Sequence, residues 1–164
     1  MKYILSFLFL LLCNANLQAL TPPVNHVGVV IPNQNTLKAE ENKNTIKALF
    51  KWMNNAAEHP AMISPEVLNQ YFSKSIQYSV NGKLLVKNNK ELAKRLQSLV
   101  KKVNHIAADV PLNHLVSSDH MAAFNYRVSI TDKKHHRYYD DVTVLAKLKH
   151  GKITQWQAFI VHEN

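Results

Sequence analysis

The chain has 164 residues, with 20 Lys and Arg against 11 Asp and Glu, giving a formal net charge of +9. That length suits one domain around one core, and with an ordinary apolar content of 46% a packed globule is expected. The basic residues are scattered in pairs such as Lys47 and Lys51 or Lys101 and Lys102, with one dense run, Lys133-Lys134-His135-His136-Arg137. No nucleic-acid motif accompanies them, so a solvated basic surface is expected and nucleic acid is not an expected partner.

Residues 1–19 have the layout of a secretory signal peptide. Lys2 supplies a positive start, Ile4–Leu12 an apolar run, and Ala15 and Ala19 the small residues of a cleavage site, most simply after Ala19. The run is about half of the roughly 20 residues needed to span a bilayer, so no stable membrane insertion is expected after cleavage. The expectation is an exported protein, periplasmic or secreted. Cys13 is the only cysteine and would leave with the leader, so neither a disulfide nor a cysteine metal ligand is expected in the mature chain. Leu20–Asn44 is rich in Asn, Pro and Thr and reads as an extended arm or tether, with an apolar patch at Val27–Ile31.

The body begins near Thr45. Ile46, Leu49, Phe50, Met53 and Ala57 recur at helical spacing and predict a first helix from about Asn44 to Glu58, ended by His59-Pro60. Ser64-Pro65 is an N-cap followed by proline at the first helical position, and Val67, Leu68, Tyr71 and Phe72 predict a short second helix. Ile76, Tyr78 and Val80 alternate with polar residues as a strand. Asn81-Gly82 supplies a tight turn, and Leu84–Val86 returns. Asn88 or Asn89 can cap a third helix whose stripe is Leu92, Leu96, Leu99, Val100 and Val103.

The remainder reads as β: His105–Val110, Leu112–Ser117, Met121–Thr131, Tyr138–Lys149 and Ile153–His162, with a polar hairpin tip at Asp132–Arg137. Pro111 marks an edge or a bulge. Helices followed by a mostly antiparallel sheet give an α+β class.

Parity on the strands nominates the site residues. Tyr138, Asp140, Val142, Val144, Ala146 and Leu148 share a face that is mainly aliphatic, which is expected to point inward with Asp140 and Tyr138 near a pocket mouth. A carboxylate in an apolar cavity can shuttle a proton, although a rim aspartate paired with Arg137 or Lys133 is the simpler reading. Phe124, Tyr126, Val128 and Ile130 share the next inner face, with Tyr126 a possible donor to a ligand oxygen and Arg127 on the outside. On the last strand either Gln155 and Gln157 or Trp156 and Ile160 point inward. The adopted reading places Gln155 and Gln157 inside and Trp156 outside.

At this point the chain resembles the SnoaL-like group of nuclear-transport-factor-2-like domains. The resemblance covers about Thr45 to Glu163 and rests on the order of elements, on Asn81-Gly82-Lys83 leading into Lys90-Glu91-Leu92, and on Gly151-Lys152-Ile153-Thr154-Gln155-Trp156 opening the final strand. Lys87-Asn88-Asn89 departs from the pattern, where a glycine is common. The resemblance implies a cone-shaped roll of three N-terminal helices against a curved sheet, with residues 45–164 as the cone domain. Tyr71 and Tyr78 would then roof the pocket. It also implies a homodimer through the outer sheet face.

Relatives include isomerases, dehydratases, cyclases and non-catalytic binders, so the fold does not select among them. His105 lies near where several relatives carry a strand histidine, and Asp109 shares its face. At i and i+4 on a strand they are roughly 13 Å apart, too far for a dyad. Asp140 and His105 are thus the catalytic candidates, and Tyr71, Tyr78, Tyr126, Tyr138, Gln155 and Gln157 the ligand-binding ones. The histidines lack metal-ligand spacing, and the chain carries no Gly-rich phosphate loop, so no metal and no cofactor is expected. The leading expectation is a pocket for a small, partly apolar ligand. The alternatives are a cofactor-free proton-transfer enzyme and an envelope interaction module.

Overall fold

The computed structural model describes residues 33–163. The leader, Cys13 and the Val27–Ile31 patch lie outside them. Among the described residues no helix is long and apolar enough to cross a membrane.

Three helices lie against a curved, open, mixed seven-stranded sheet. Helix α1 spans Gln34–Glu58, starting well before the Asn44 expected from its apolar stripe. Asn33 caps it, accepting from the Asn35 amide. The first part was read as arm because its surface is polar, yet buried side-chain contacts hold it. Asn42, itself buried, donates to the Ser118 carbonyl at 2.9 Å, and the Ser117 hydroxyl donates to the Ala39 carbonyl at 2.6 Å. After a single 3-10 turn at Pro60–Met62, α2 occupies only Pro65–Leu68. The expected second helix is thus shorter, because Phe72 already begins strand β1, Phe72–Val80.

Strand β2, Lys83–Val86, returns through Asn81-Gly82, where both residues have positive φ, the backbone that a tight hairpin requires. Helix α3, Asn89–Lys102, starts with a reciprocal cap. The Asn88 side chain accepts from the Glu91 amide, and Glu91 accepts from the Lys87 amide, both at 2.9 Å. Strands β3 (Val103–Ala108), β4 (Asn113–Ser117), β5 (Met121–Asp132), β6 (Arg137–Lys149) and β7 (Lys152–Glu163) follow. The strand order is β2-β1-β7-β6-β5-β3, with β4 also pairing β5. All pairs are antiparallel except β1 with β7.

The β5–β6 hairpin pairs without interruption from Met121 opposite Lys147 to Thr131 opposite Arg137. The β6–β7 hairpin does not. Leu148 faces Ile153, but Lys147 faces Gln155, so Thr154 is an extra residue in β7. This bulge reverses the side-chain alternation. Ile153 and Trp156 both become buried although an odd interval separates them. Trp156, expected on the outer face, is therefore a core residue: its ring packs against Phe50, Phe72, Tyr78 and Phe124. Gln155 and Gln157, expected inside, take the opposite face.

Phe50 of α1 is fully buried and meets Phe124, Tyr126 and Trp156 edge-on or stacked, joining helix to sheet. Burying one such ring stabilises the fold by about 1.5–3 kcal/mol. Asn54 adds a polar clamp, donating to the Ala108 carbonyl and accepting from its amide, each at 2.9 Å. These contacts close one end of the roll. Between α3 and the far half of the sheet the packing stays open.

Candidate functional site

The open part of the roll is a cavity of about 650 Å³. Its walls are mostly apolar: Trp52, Met53 and Ala57 from α1, Leu92, Leu96 and Leu99 from α3, and Val128, Val142 and Ile160 from the sheet. This explains why Leu99, part of a clean helical stripe, remains 41% exposed. It faces the cavity mouth, not packed core. Size and lining fit a small-molecule pocket.

Few polar groups enter the interior. Tyr78, Tyr126 and Asp140 line it, projected from β1, β5 and β6 by the inward parity of those strands. Among the described residues neither phenol hydroxyl has a protein hydrogen-bond partner. Burial raises both phenols above their ordinary value. Tyr126 is pushed further by Tyr78 and by the Asp140 charge, and Tyr78 is pulled back in part by Arg95.

Asp140 is buried, and its partner was missed by sequence reasoning. His162 Nδ1 lies 2.6 Å from Asp140 Oδ1, with the carboxylate side chain 12% exposed and the imidazole 72%. The two residues are directly opposed on β6 and β7. The pairing depends on the Thr154 bulge: an uninterrupted hairpin would set Val161 opposite Asp140. Hairpin counting alone would therefore have chosen the wrong neighbour. Asp140 does not hydrogen-bond Tyr126, and it does not pair with Arg137 or Lys133.

Several expected site residues lie elsewhere. His105 is exposed on β3 and does not line the cavity, whose β3 wall is Ile106, Ala107 and Ala108. The irregularity between Val103 and His105 in the β3–β5 pairing accompanies this placement. Asp109 is also exposed, just beyond β3. Tyr138 is 38% exposed and outside the cavity lining, although Ile130 opposite it on β5 belongs to that lining. Tyr71 packs against Trp52 but borders a separate shallow groove with Leu37, Glu41 and Thr45 of α1. Gln155 and Gln157 face away from the cavity through the bulge.

On the outer face Arg127 makes a two-pronged pair with Asp141 at 2.9 and 3.0 Å and reaches Glu163. That bonding holds Asp141 below the usual carboxylate range. Among the described residues no cluster of three or more His, Cys, Asp or Glu side chains is arranged to hold a metal.

A SnoaL-like comparison decides the architecture. The chain superposes on a protein assigned as a SnoaL-like polyketide cyclase from Jannaschia sp. CCS1 with a TM-score of 0.62, at 8% identity, over 79% of this chain and 91% of that one. The fold is the nuclear-transport-factor-2-like cone. An LEH-like epoxide hydrolase of M. tuberculosis matches the cone at TM-score 0.60 and 11% identity, over 76% of this chain and 85% of its own. A nuclear-transport-factor-2-like protein of unknown function from Exiguobacterium sp. 255-15 does so at 0.60 and 16%, over 73% and 98%. At such identities the likeness is one of fold. No protein-family model matches the sequence, and no curated protein does.

The raised phenols of the cone have a measurable consequence. Tyrosine in the unfolded chain loses its proton near pH 10, whereas Tyr78 and Tyr126 keep theirs to higher pH in the fold. The unfolded state then binds fewer protons, so stability falls as pH rises beyond about 10. Urea unfolding between pH 9 and 11 is expected to show this decline, and Tyr126→Phe to flatten it. An unchanged slope in the variant would contradict the buried placement of that phenol.

Proposed function

We propose that the protein is an exported small-molecule-binding domain whose ligand is small and partly apolar. The single observation that carries this is the open cavity of about 650 Å³, mainly apolar, with two unpaired phenol hydroxyls at its interior. An interaction module would have no need to hold such a space open, since filling it would gain burial energy. The signal-like leader supports export. N-phenylnaphthylamine, a neutral dye that fluoresces in apolar surroundings, is expected to bind. Ala57→Trp, placed on the half-buried cavity side of α1, is expected to weaken it at least about tenfold. Circular dichroism would check that the fold is kept. Undiminished dye binding would place the ligand elsewhere.

Asp140 supports a second reading, proton transfer without a cofactor. Its carboxylate would take a C–H proton next to a ligand carbonyl and return it to another carbon. The electron pair would rest on a carbonyl oxygen held by the Tyr126 or Tyr78 hydroxyl. Enzymes described as epoxide hydrolase/cyclase-like share the fold, including one acting in pyran ring formation in salinomycin, with a TM-score of 0.60 at 15% identity over 74% of this chain and 92% of that one. Proton exchange of β-tetralone in deuterium oxide, followed by nuclear magnetic resonance, tests it. Asp140→Asn is expected to slow exchange by about 100-fold or more. Exchange no faster than in buffer with the unaltered protein would leave the binding reading alone.

The proposed oligomer is a homodimer through the outer sheet face. There Val116, Ala123, Leu145 and Gln157 run in one row across four strands, and Phe159 and Val161 are 50% and 67% exposed. Sedimentation velocity is expected to report a dimer, converted to monomer by Phe159→Lys with Val161→Lys. A monomeric unaltered protein refutes the dimer.

A further inference from the structure

The cavity mouth carries a charge pattern that narrows the ligand class, and this inference rests on the cavity being a ligand site. Helix α3 lines the mouth with Lys94, Arg95, Ser98 and Lys102 beside its apolar stripe. The carboxylates of the lining already hold hydrogen-bond donors. Glu91 accepts from the Lys87 amide and the Asn88 side chain, and Asp140 from His162. The cations are different: among the described residues, none of Lys94, Arg95 and Lys102 pairs with a carboxylate. Of the elements facing them, β6 brings one carboxylate into the lining, Asp140, and it is bonded to His162. Asn54 on α1 is committed to the Ala108 backbone, and β1 presents the neutral Tyr78.

The pattern is local to the mouth. Lys47 and Lys51 of α1, Lys90 and Lys101 of α3, and the Lys133–Arg137 tip all stand outside the cavity lining. Unpaired cations over an apolar recess focus a positive potential where a ligand enters. The Arg95 charge reaches as far as the buried Tyr78 hydroxyl, which it partly draws back toward its ordinary acidity. Apolar walls alone would favour a neutral hydrocarbon, and the cations alone a small inorganic anion. Their adjacency favours a molecule with both parts.

We propose that the cavity takes an amphipathic anion, its apolar body between α1 and the sheet and its charged group at the mouth against Arg95, Lys94 and Lys102. A matched pair of dyes separates the two components. Anilinonaphthalene sulfonate has the skeleton of N-phenylnaphthylamine with one added sulfonate. At low ionic strength the sulfonate is expected to bind about tenfold more tightly than the neutral dye. Arg95→Gln with Lys102→Gln is expected to bring the ratio of the two dyes' affinities close to one. Lys133→Gln with Lys134→Gln, which changes net charge equally away from the mouth, is expected to alter neither.

Equal binding of the two dyes by the unaltered protein overturns the proposal and leaves the cavity reading standing. So does a sulfonate preference that survives the α3 substitutions or disappears with those at the hairpin tip. Absence of binding by both dyes removes the cavity reading itself.

Discussion

One extra residue in one strand organises the sheet around the cavity of this protein. Thr154 interrupts the β6–β7 ladder, and its consequences run the length of β7. Trp156 turns inward and fills the closed end of the roll against Phe50 and Phe124, while Ile153 keeps its own buried place. The same shift sets His162, not Val161, opposite Asp140. A bulge is a local change in backbone, but because strand side chains alternate, it reassigns every residue beyond it to the other face.

The indole of Trp156 holds this arrangement by apolar contact: its buried Nε1 has no hydrogen-bond partner among the described residues. Around it the aromatic cluster closes one end of the roll, and polar pins hold α1 along its length. Asn42 and Asn54 tie the helix to the Ser118 carbonyl and to the Ala108 backbone. The cavity lies between α1, α3 and the sheet, which all contribute to its lining.

Within that space the polar groups differ in their commitments. Asp140 is buried but bonded to an exposed imidazole, which joins a cavity carboxylate to bulk water through one side chain. Tyr78 and Tyr126 offer hydroxyls without protein partners, in surroundings that hold them neutral. Lys94, Arg95 and Lys102 sit at the mouth. From the mouth inward the lining therefore runs from positive charge through hydrocarbon to two phenols and a carboxylate. The outer face, with its Arg127–Asp141–Glu163 network, has a separate chemistry and no access to the interior.

Element order, the α+β class and the long regular hairpin of β5 and β6 were legible in the sequence, because periodicity and turn residues act locally. The inward placement of Tyr126 and Asp140 followed from the same alternation on strands whose pairing is uninterrupted. Gln155, Gln157 and Trp156 were misassigned where the alternation breaks, since both faces of β7 contain apolar residues and no glycine or proline marks Thr154. His105 and Tyr138 had the right residue types, but His105 sits beside a register shift in the β3–β5 ladder and both are exposed outside the cavity lining. The early start of α1 escaped notice because its anchors, Asn42 and the Ala39 carbonyl, bond to residues more than seventy positions away. Local pattern, by itself, determined the order and type of the elements, though not where α1 begins or where the second helix ends. Only the tertiary structure decided which side chains meet, because the bulge, the curvature and the long-range pins arise from packing between distant segments.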